Sequence, residues 1–285
     1  MCGLCSAHIP GETPTTMKLS MMSGCILPTV GCSESDIASL CEFTRELGLD
    51  AIDFITTHGV DAAAIRRVVD DHGLKTCCHT FWGDIDRPTA AERKAGLETM
   101  KRGIEDTVIL GADRVMIPPA GRADVDREQS RPWFIAGLLE TLPIAQDAGV
   151  ILTIEDFGFP TSAFIVSDEL LLAVEQVPGL KLTFDSGNCV TAGEDAVHML
   201  ERIMPYVVHA HVKDWRITDH EEEGFRGLDG QCYASVNLGE GIVDNAGCVR
   251  VLAEAGYEGY INLEVGKDGY AASVEYMLAE IDANA

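Results

Sequence analysis

Eight times along this chain a short apolar run gives way to a helical stretch, and that strict alternation constrains the fold more than any other feature. The apolar runs are KLSMMSGCIL, AIDFIT, LKTCCHTF, RVMIPP, VILTIEDFG, KLTFDSGN, VVHAHVKDW and YINLEV. Between and after them lie SESDIASLCEFTREL, DAAAIRRVVDDHG, a long stretch from Ala90 to about Leu110, Arg131 to Ala148, SDELLLAVEQV, GEDAVHMLERIM, DNAGCVRVLAEAG and AASVEYMLAEIDA. The strands are mostly continuous apolar runs rather than polar/apolar alternations, as strands buried on both faces are. Strict βα repetition implies parallel strands joined by crossover helices. A doubly wound open sheet also alternates. Eight units, the lack of a Gly-rich fingerprint after the first strand, and polar residues at many strand ends favour closure instead. The expected fold is therefore α/β, a single (β/α)₈ TIM barrel over residues 18–285, with residues 1–17 as a flexible lead-in.

Length and composition agree. The 285 residues suit a barrel of about 250. Hydrophobic residues make up 46% and aromatics only 6%, so the core should be aliphatic. Lys and Arg total 21 against 46 Asp and Glu, a net charge of −25, which repels nucleic acid and anionic lipid and excludes both as expected partners. No apolar run approaches the ~20 residues of a membrane helix, and the polar, Pro/Gly-containing N-terminus lacks the regions of a signal peptide. The ten cysteines are scattered and read as reduced core residues of a cytoplasmic protein. Cys2 and Cys5 form a lone CxxC, with only His8 nearby to complete a zinc site.

In barrels of this kind the chemistry sits where strands end. Four residues stand out by that test: Glu155 in VILTIEDFG, Asp185 in KLTFDSGN, His211 in VVHAHVKDW and Glu264 in YINLEV. Each follows an apolar run, where an unpaired charge is costly. Any one alone reads equally as a helix cap or an ion-pair member. Together they come from strands five to eight, which are adjacent in the ring. Three converging carboxylates repel one another unless a cation intervenes. With one imidazole they suit a single divalent ion, Mn²⁺ first, with Mg²⁺, Co²⁺ or Zn²⁺ as alternatives. The longest spacing between strands, roughly 213–243 and containing DHEEEGFRGLDGQ, reads mostly as a loop: a lid, a subunit contact or plain surface.

The motifs IEDFG, FDSGN followed by AGED, HAHVKDW, and GEGIVD leading to GYEGYINLEV resemble those of the sugar phosphate isomerase/epimerase superfamily, with its xylose isomerase-like barrel. The resemblance covers roughly residues 18–283. It implies that the second histidine of HAHVKDW, His211 rather than His209, is the metal ligand. It implies that Glu155 and Glu264 are catalytic as well as ligating, one removing the proton beside a carbonyl and the other returning one from the opposite face. The metal would stabilise the enediolate between the two steps. A homodimer or homotetramer and a small-molecule carbohydrate substrate are further implications.

Other residues are candidates for binding the substrate. Lys213 follows the metal histidine, where it would bind a substrate oxygen or phosphate, polarise a carbonyl, or simply form an ion pair. Arg216 lies five residues beyond His211; the ketose 3-epimerases also have an arginine shortly after their histidine. His79, at the end of strand three, and Trp82 beyond it are expected to line the pocket. Asn188 stands three residues after Asp185, where free-ketose 3-epimerases often carry a histidine. The expected activity is thus a metal-dependent isomerase or epimerase acting on a sugar or sugar phosphate. The competing expectation is a lyase that dehydrates a keto-inositol or dehydro acid or eliminates from a 3-keto glycoside.

Overall fold

The computed structural model describes residues 17–284; Cys2, Cys5 and His8 of the expected lead-in lie outside them. Eleven strands occur among these residues: β1 (Lys18–Met22), β2 (Ala51–Ile55), β3 (Lys75–Thr80), β4 (Arg114–Met116), β5 (Ile151–Glu155), β6 (Lys181–Asp185), β7 (Val207–Val212), β8 (Asp214–Ile217), β9 (Phe225–Arg226), β10 (Cys232–Val236) and β11 (Tyr260–Leu263). The eight α-helices are α1 (Glu34–Glu46), α2 (Ala62–Asp71), α3 (Ala90–Leu110), α4 (Arg127–Asp147), α5 (Ser167–Gln176), α6 (Ala196–Ile203), α7 (Asn245–Glu254) and α8 (Tyr270–Ala283).

Strands β1 to β7 and β11 form one closed parallel barrel, β11 completing the ring between β7 and β1. The expected (β/α)₈ barrel is the fold observed. Its core is aliphatic, as low aromatic content requires: Ile37, Ile52, Ile65, Leu138, Ile154, Leu182 and Ile261 are fully buried between the strands and the helical ring. Helix starts follow capping chemistry. At α3 the Glu92 amide donates to the Thr89 hydroxyl at 3.3 Å, and the Thr89 amide donates to the Glu92 carboxylate at 3.1 Å, which satisfies two otherwise orphaned donors. The eight cysteines among the described residues are free thiols, and Cys41, Cys77, Cys78 and Cys189 are buried. No described helix is long and apolar enough to cross a membrane.

One expected boundary is corrected, and one expected loop gains structure. Helix α4 starts at Arg127, before the expected Arg131, with Asp126 accepting from the Glu128 amide at 2.8 Å. Pro132 lies inside α4, in its second turn. Arg127 and Arg131, one turn apart on the same helix face, both pair with Glu169. The stretch 213–243 is mostly loop, as expected, but it also carries a small antiparallel sheet in the order β8-β10-β9. Asp214, fully buried, anchors its return: the carboxylate accepts from the amides of Trp215, Gly239, Gly241 and Val243 at 2.9–3.0 Å.

Candidate active site

Strand β7 reads VVHAHV, and its odd positions His209 and His211 are both buried while Lys213, two residues on, is nearly so. Period-two geometry puts these three side chains on one face of the strand. In register beside His211 lie Asp185 at the end of β6 and Asn262 on β11. Glu264, two residues past Asn262, extends the ladder through its amide, which donates to Val212 O at 2.9 Å. Glu155 ends β5. Consecutive strand ends therefore deliver carboxylate, carboxylate, imidazole and carboxylate to one side of the mouth.

The donor atoms of Glu155, Asp185 and His211 lie within 4.8 Å of one another. Glu155 Oε2, Asp185 Oδ2 and His211 Nδ1 are buried and lack hydrogen-bond partners. His211 Nδ1 is 3.3 Å from Glu155 Oε2, near but not aligned for a hydrogen bond. Asp185 Oδ2 has only an ion-pair contact with Lys213 Nζ at 3.1 Å, and Glu155 Oε2 and His211 Nδ1 only each other, so the three buried atoms converge as the protein side of a cation site would. The set of two carboxylate oxygens and one imidazole nitrogen fits a divalent ion.

The fourth expected ligand is occupied differently. Glu264 pairs with Lys213 Nζ, and the same ammonium is 3.1 Å from Asp185 Oδ2 and 3.3 Å from Asn188 Oδ1. Lys213 is only 12% exposed along its side chain, so it is a buried bridge and not a surface ion pair. Gly187 makes room for it: a Cβ there would collide with Lys213 Cγ and stand 2.7 Å from Trp215 Nε1.

Electrostatics follow from burial. Loss of solvent raises the Glu155 carboxyl to about 7, against the pull of His211. Burial likewise raises Asp185, opposed by Lys213. Burial alone would discharge Lys213, but Asp185 and Glu264 outweigh it and raise its pKa. Burial also disfavours a charged His211; the hydrogen bond to Asp53 and the adjacent Glu155 reverse this and lift it well above the ordinary value.

Two residues of this network were not singled out in the sequence. Asp53, in the middle of β2, accepts from His209 Nε2 at 2.8 Å and from His211 Nε2 at 3.0 Å. A carboxylate only accepts, so the Nε2 protons are fixed and His211 turns Nδ1 toward Glu155 and Asp185. Burial opposes a charged Asp53, and the two histidine hydrogen bonds nonetheless hold its pKa below the usual carboxylate range. The Asp53, His209 and His211 donors also cluster within 4.8 Å, but hydrogen bonds account for that cluster. Asp156 is the other: it accepts from the Asp185 amide at 2.8 Å and the Cys189 amide at 3.1 Å, fixing the turn that presents Asp185. Both carried a readable signal, an acid inside or close behind an apolar run.

The remaining candidates are dispersed. His79 is not brought to this cluster. It is in register with Phe54 of the strand–helix core and its Nδ1 meets Thr107 Oγ1 of α3 at 2.8 Å, so it lies on the helix-facing side of β3. Thr107 spends its own proton on Gly103 O; His79 Nδ1 is therefore the donor and its buried Nε2 has no partner. Burial lowers the His79 pKa to about 4. Trp82, 42% exposed, lines the same flank cavity as His79. Arg216 is exposed and paired with Glu223 at 2.8 Å. Asn188 does join the cluster, through Lys213.

A closed (β/α)₈ barrel with a buried acid–histidine cluster at the ends of adjacent strands defines an enzyme class in which chemistry is built at the C-terminal face. The xylose isomerase-like TIM barrel family matches residues 41–281, and the chain belongs to it. An uncharacterised protein of Methanocaldococcus jannaschii is 24% identical over 263 residues, 87% of this chain and 83% of that one. Inosose dehydratase of Clostridium perfringens is 34% identical over 102 residues, so the match spans only 34% of each protein. Among solved structures, L-ribulose 3-epimerase superposes with a TM-score of 0.77 at 16% identity, covering 94% of this chain and 95% of that one, which is a likeness of fold alone.

Proposed function

We propose that this chain is a divalent-metal-dependent isomerase or epimerase that moves a proton next to the carbonyl of a sugar-class substrate. The observation that carries the reading is the convergence of the buried Glu155, Asp185 and His211 donors beside the Lys213–Glu264 pair. Glu155, Asp185, His211 and Glu264 would hold the ion. When bound, it would supply Lewis-acid stabilisation of the charge that develops on the carbonyl oxygen. Glu155 and Glu264 enter from β5 and from the end of β11, on either side of Asp185 and His211. That separation suits one carboxylate taking the proton and the other returning it. Lys213, a buried cation, is placed to hold a substrate oxygen, with Asn188 fixing its position.

A lyase on the same site is the second reading, and Lys213 favours it: an ammonium against Glu264 is placed to protonate a departing hydroxyl after the same proton has been removed. The partial similarity to an inosose dehydratase supports it. The test is incubation of the Mn²⁺-loaded protein in D₂O with ketoses and a keto-inositol. Deuterium should enter beside the carbonyl, and Glu264→Gln should slow its entry by at least about 10²-fold. A new enone absorbance selects the lyase. Neither exchange nor enone with any ketone rejects both readings, and full exchange by Glu264→Gln rejects the two-glutamate mechanism.

A further inference from the structure

Where β6 and β7 end, side chains carry the ladder between them one step further. Asp185 is in register with His211, and the Ser186 amide donates to His211 O at 3.1 Å. Strand β6 stops at Asp185, and Ser186 takes over. Its Oγ accepts from the Lys213 amide at 3.3 Å and donates to Asn245 Oδ1 at 2.8 Å. Asn245, the first residue of α7, in turn donates from Nδ2 to Lys213 O at 3.1 Å. These directions are forced. Lys213 O only accepts, so the NH₂ of Asn245 must face it, which turns Oδ1 toward Ser186 and draws the single hydroxyl proton there. The backbone N–H and C=O of Lys213 are thereby held in one closed circuit. Ser186 and Asn245 are fully buried, so water does not compete for these bonds.

The chain reaches this circuit through GEGIVD, residues 239–244, a segment that neither reading uses. It wraps Asp214, whose carboxylate takes the amides of Gly239, Gly241 and Val243. Asp244 then caps α7 by accepting from the Gly247 amide at 2.8 Å, and Asn245 follows it directly. Two successive residues are gripped in this way, Asp214 by its side chain and Lys213 by its backbone. The Lys213 side chain remains free to point to Asp185 Oδ2 at 3.1 Å and to Glu264. Resting on the reading that Asp185 and His211 hold the ion, we propose that Asn245 is a positioning residue for that centre. From a helix outside the barrel it fixes the end of β6 against the end of β7, and so sets where Asp185, His211 and Lys213 stand relative to one another. It acts through the Ser186 hydroxyl and the Lys213 carbonyl, not by contact with ion or substrate. Aspartate in its place has nearly the same shape but no proton for Lys213 O, so two acceptors would face each other in a buried site.

The test is Co²⁺ binding to the full-length, chelator-treated protein. Affinity is read in competition with a chelator, and ligand geometry from the position and intensity of the visible band. Asn245→Asp should weaken Co²⁺ binding roughly 3- to 10-fold and change the band; the loss is smaller than for a partner bonded directly to a ligand, because Asn245 stands one bond further away. Ser186→Ala opens the same circuit from β6 by removing one oxygen and should have the same two effects. The double variant should lose little more than either single one, since both act through one circuit. Leu138→Ala, in the buried face of α4, should lower the melting temperature and leave the band unchanged. Wild-type affinity and band in folded Asn245→Asp and Ser186→Ala, or an equal band change in Leu138→Ala, overturns the inference while Co²⁺ binding by wild type still upholds the metal centre. If wild type binds no Co²⁺, the metal reading falls and this inference falls with it.

Discussion

Asp53→Asn isolates a residue that sets the geometry of His211, the proposed imidazole ligand. Its Oδ2 receives protons from His209 and His211 at 2.8 and 3.0 Å, and all three side chains are fully buried. Asparagine has the same shape and keeps one acceptor oxygen, so the barrel should fold. It loses the charge: its one oxygen can take the Oδ2 place and still accept from both Nε2–H groups, but as a neutral acceptor, while its NH₂ is buried where Oδ1 had no partner. The His211 ring is then held less firmly with Nδ1 toward Glu155 and Asp185. Loss of such an orienting partner weakens metal binding roughly 10- to 100-fold, or about 1.4–2.8 kcal/mol. The assay is a Co²⁺ titration followed by visible absorption, in competition with a chelator of known affinity, with circular dichroism confirming the fold. A folded Asp53→Asn protein that binds Co²⁺ within twofold of wild type refutes the reasoning.

Two further outcomes are expected. Gly187→Ala forces a methyl into Lys213 Cγ and Trp215 Nε1; turnover should fall at least about tenfold while the melting temperature drops only a few degrees, as ~1–2 kcal/mol of overpacking implies, and unchanged turnover would show that the position of Lys213 does not matter. His79 is depressed from the ordinary 6.5 to about 4 by burial, so the unfolded chain takes up a proton in that window and the native one does not. Stability present above pH 6.5 is therefore lost as pH falls toward 4, by up to ~3 kcal/mol from this group; urea midpoints at pH 7 and pH 4.5 should differ less in His79→Gln than in wild type, and equal differences would contradict the assignment.

How much of this was legible in the sequence depended on where contrast exists. The barrel was legible because eight apolar runs of strand length alternate with helical periods. The strand-end acids Glu155, Asp185 and Glu264 were legible because each breaks an apolar run. Asp53 obeys the same rule but lies on the second strand, outside the group of adjacent strand ends that drew the reading. His79 shows a physical limit: in β3 five of six residues are buried, so polarity does not alternate and nothing in the pattern tells the barrel-facing side from the helix-facing side. The small sheet after β7 was hidden because β8 and β9 are short, part exposed and separated by the acidic run HEEEG. Its pairing is set by the Asp214 carboxylate and long-range register, which local propensity does not carry.

The central claim is that Glu155, Asp185, His211 and Glu264 hold one divalent cation. Calorimetric titration of the chelator-treated protein with Mn²⁺ tests it most directly, wild type beside Asp185→Asn. One equivalent should bind to wild type, and affinity should fall by at least about 10²-fold in the variant, since a ligand carboxylate is lost and not merely reoriented. Equal affinity in the two proteins, or no binding by wild type, would contradict the account.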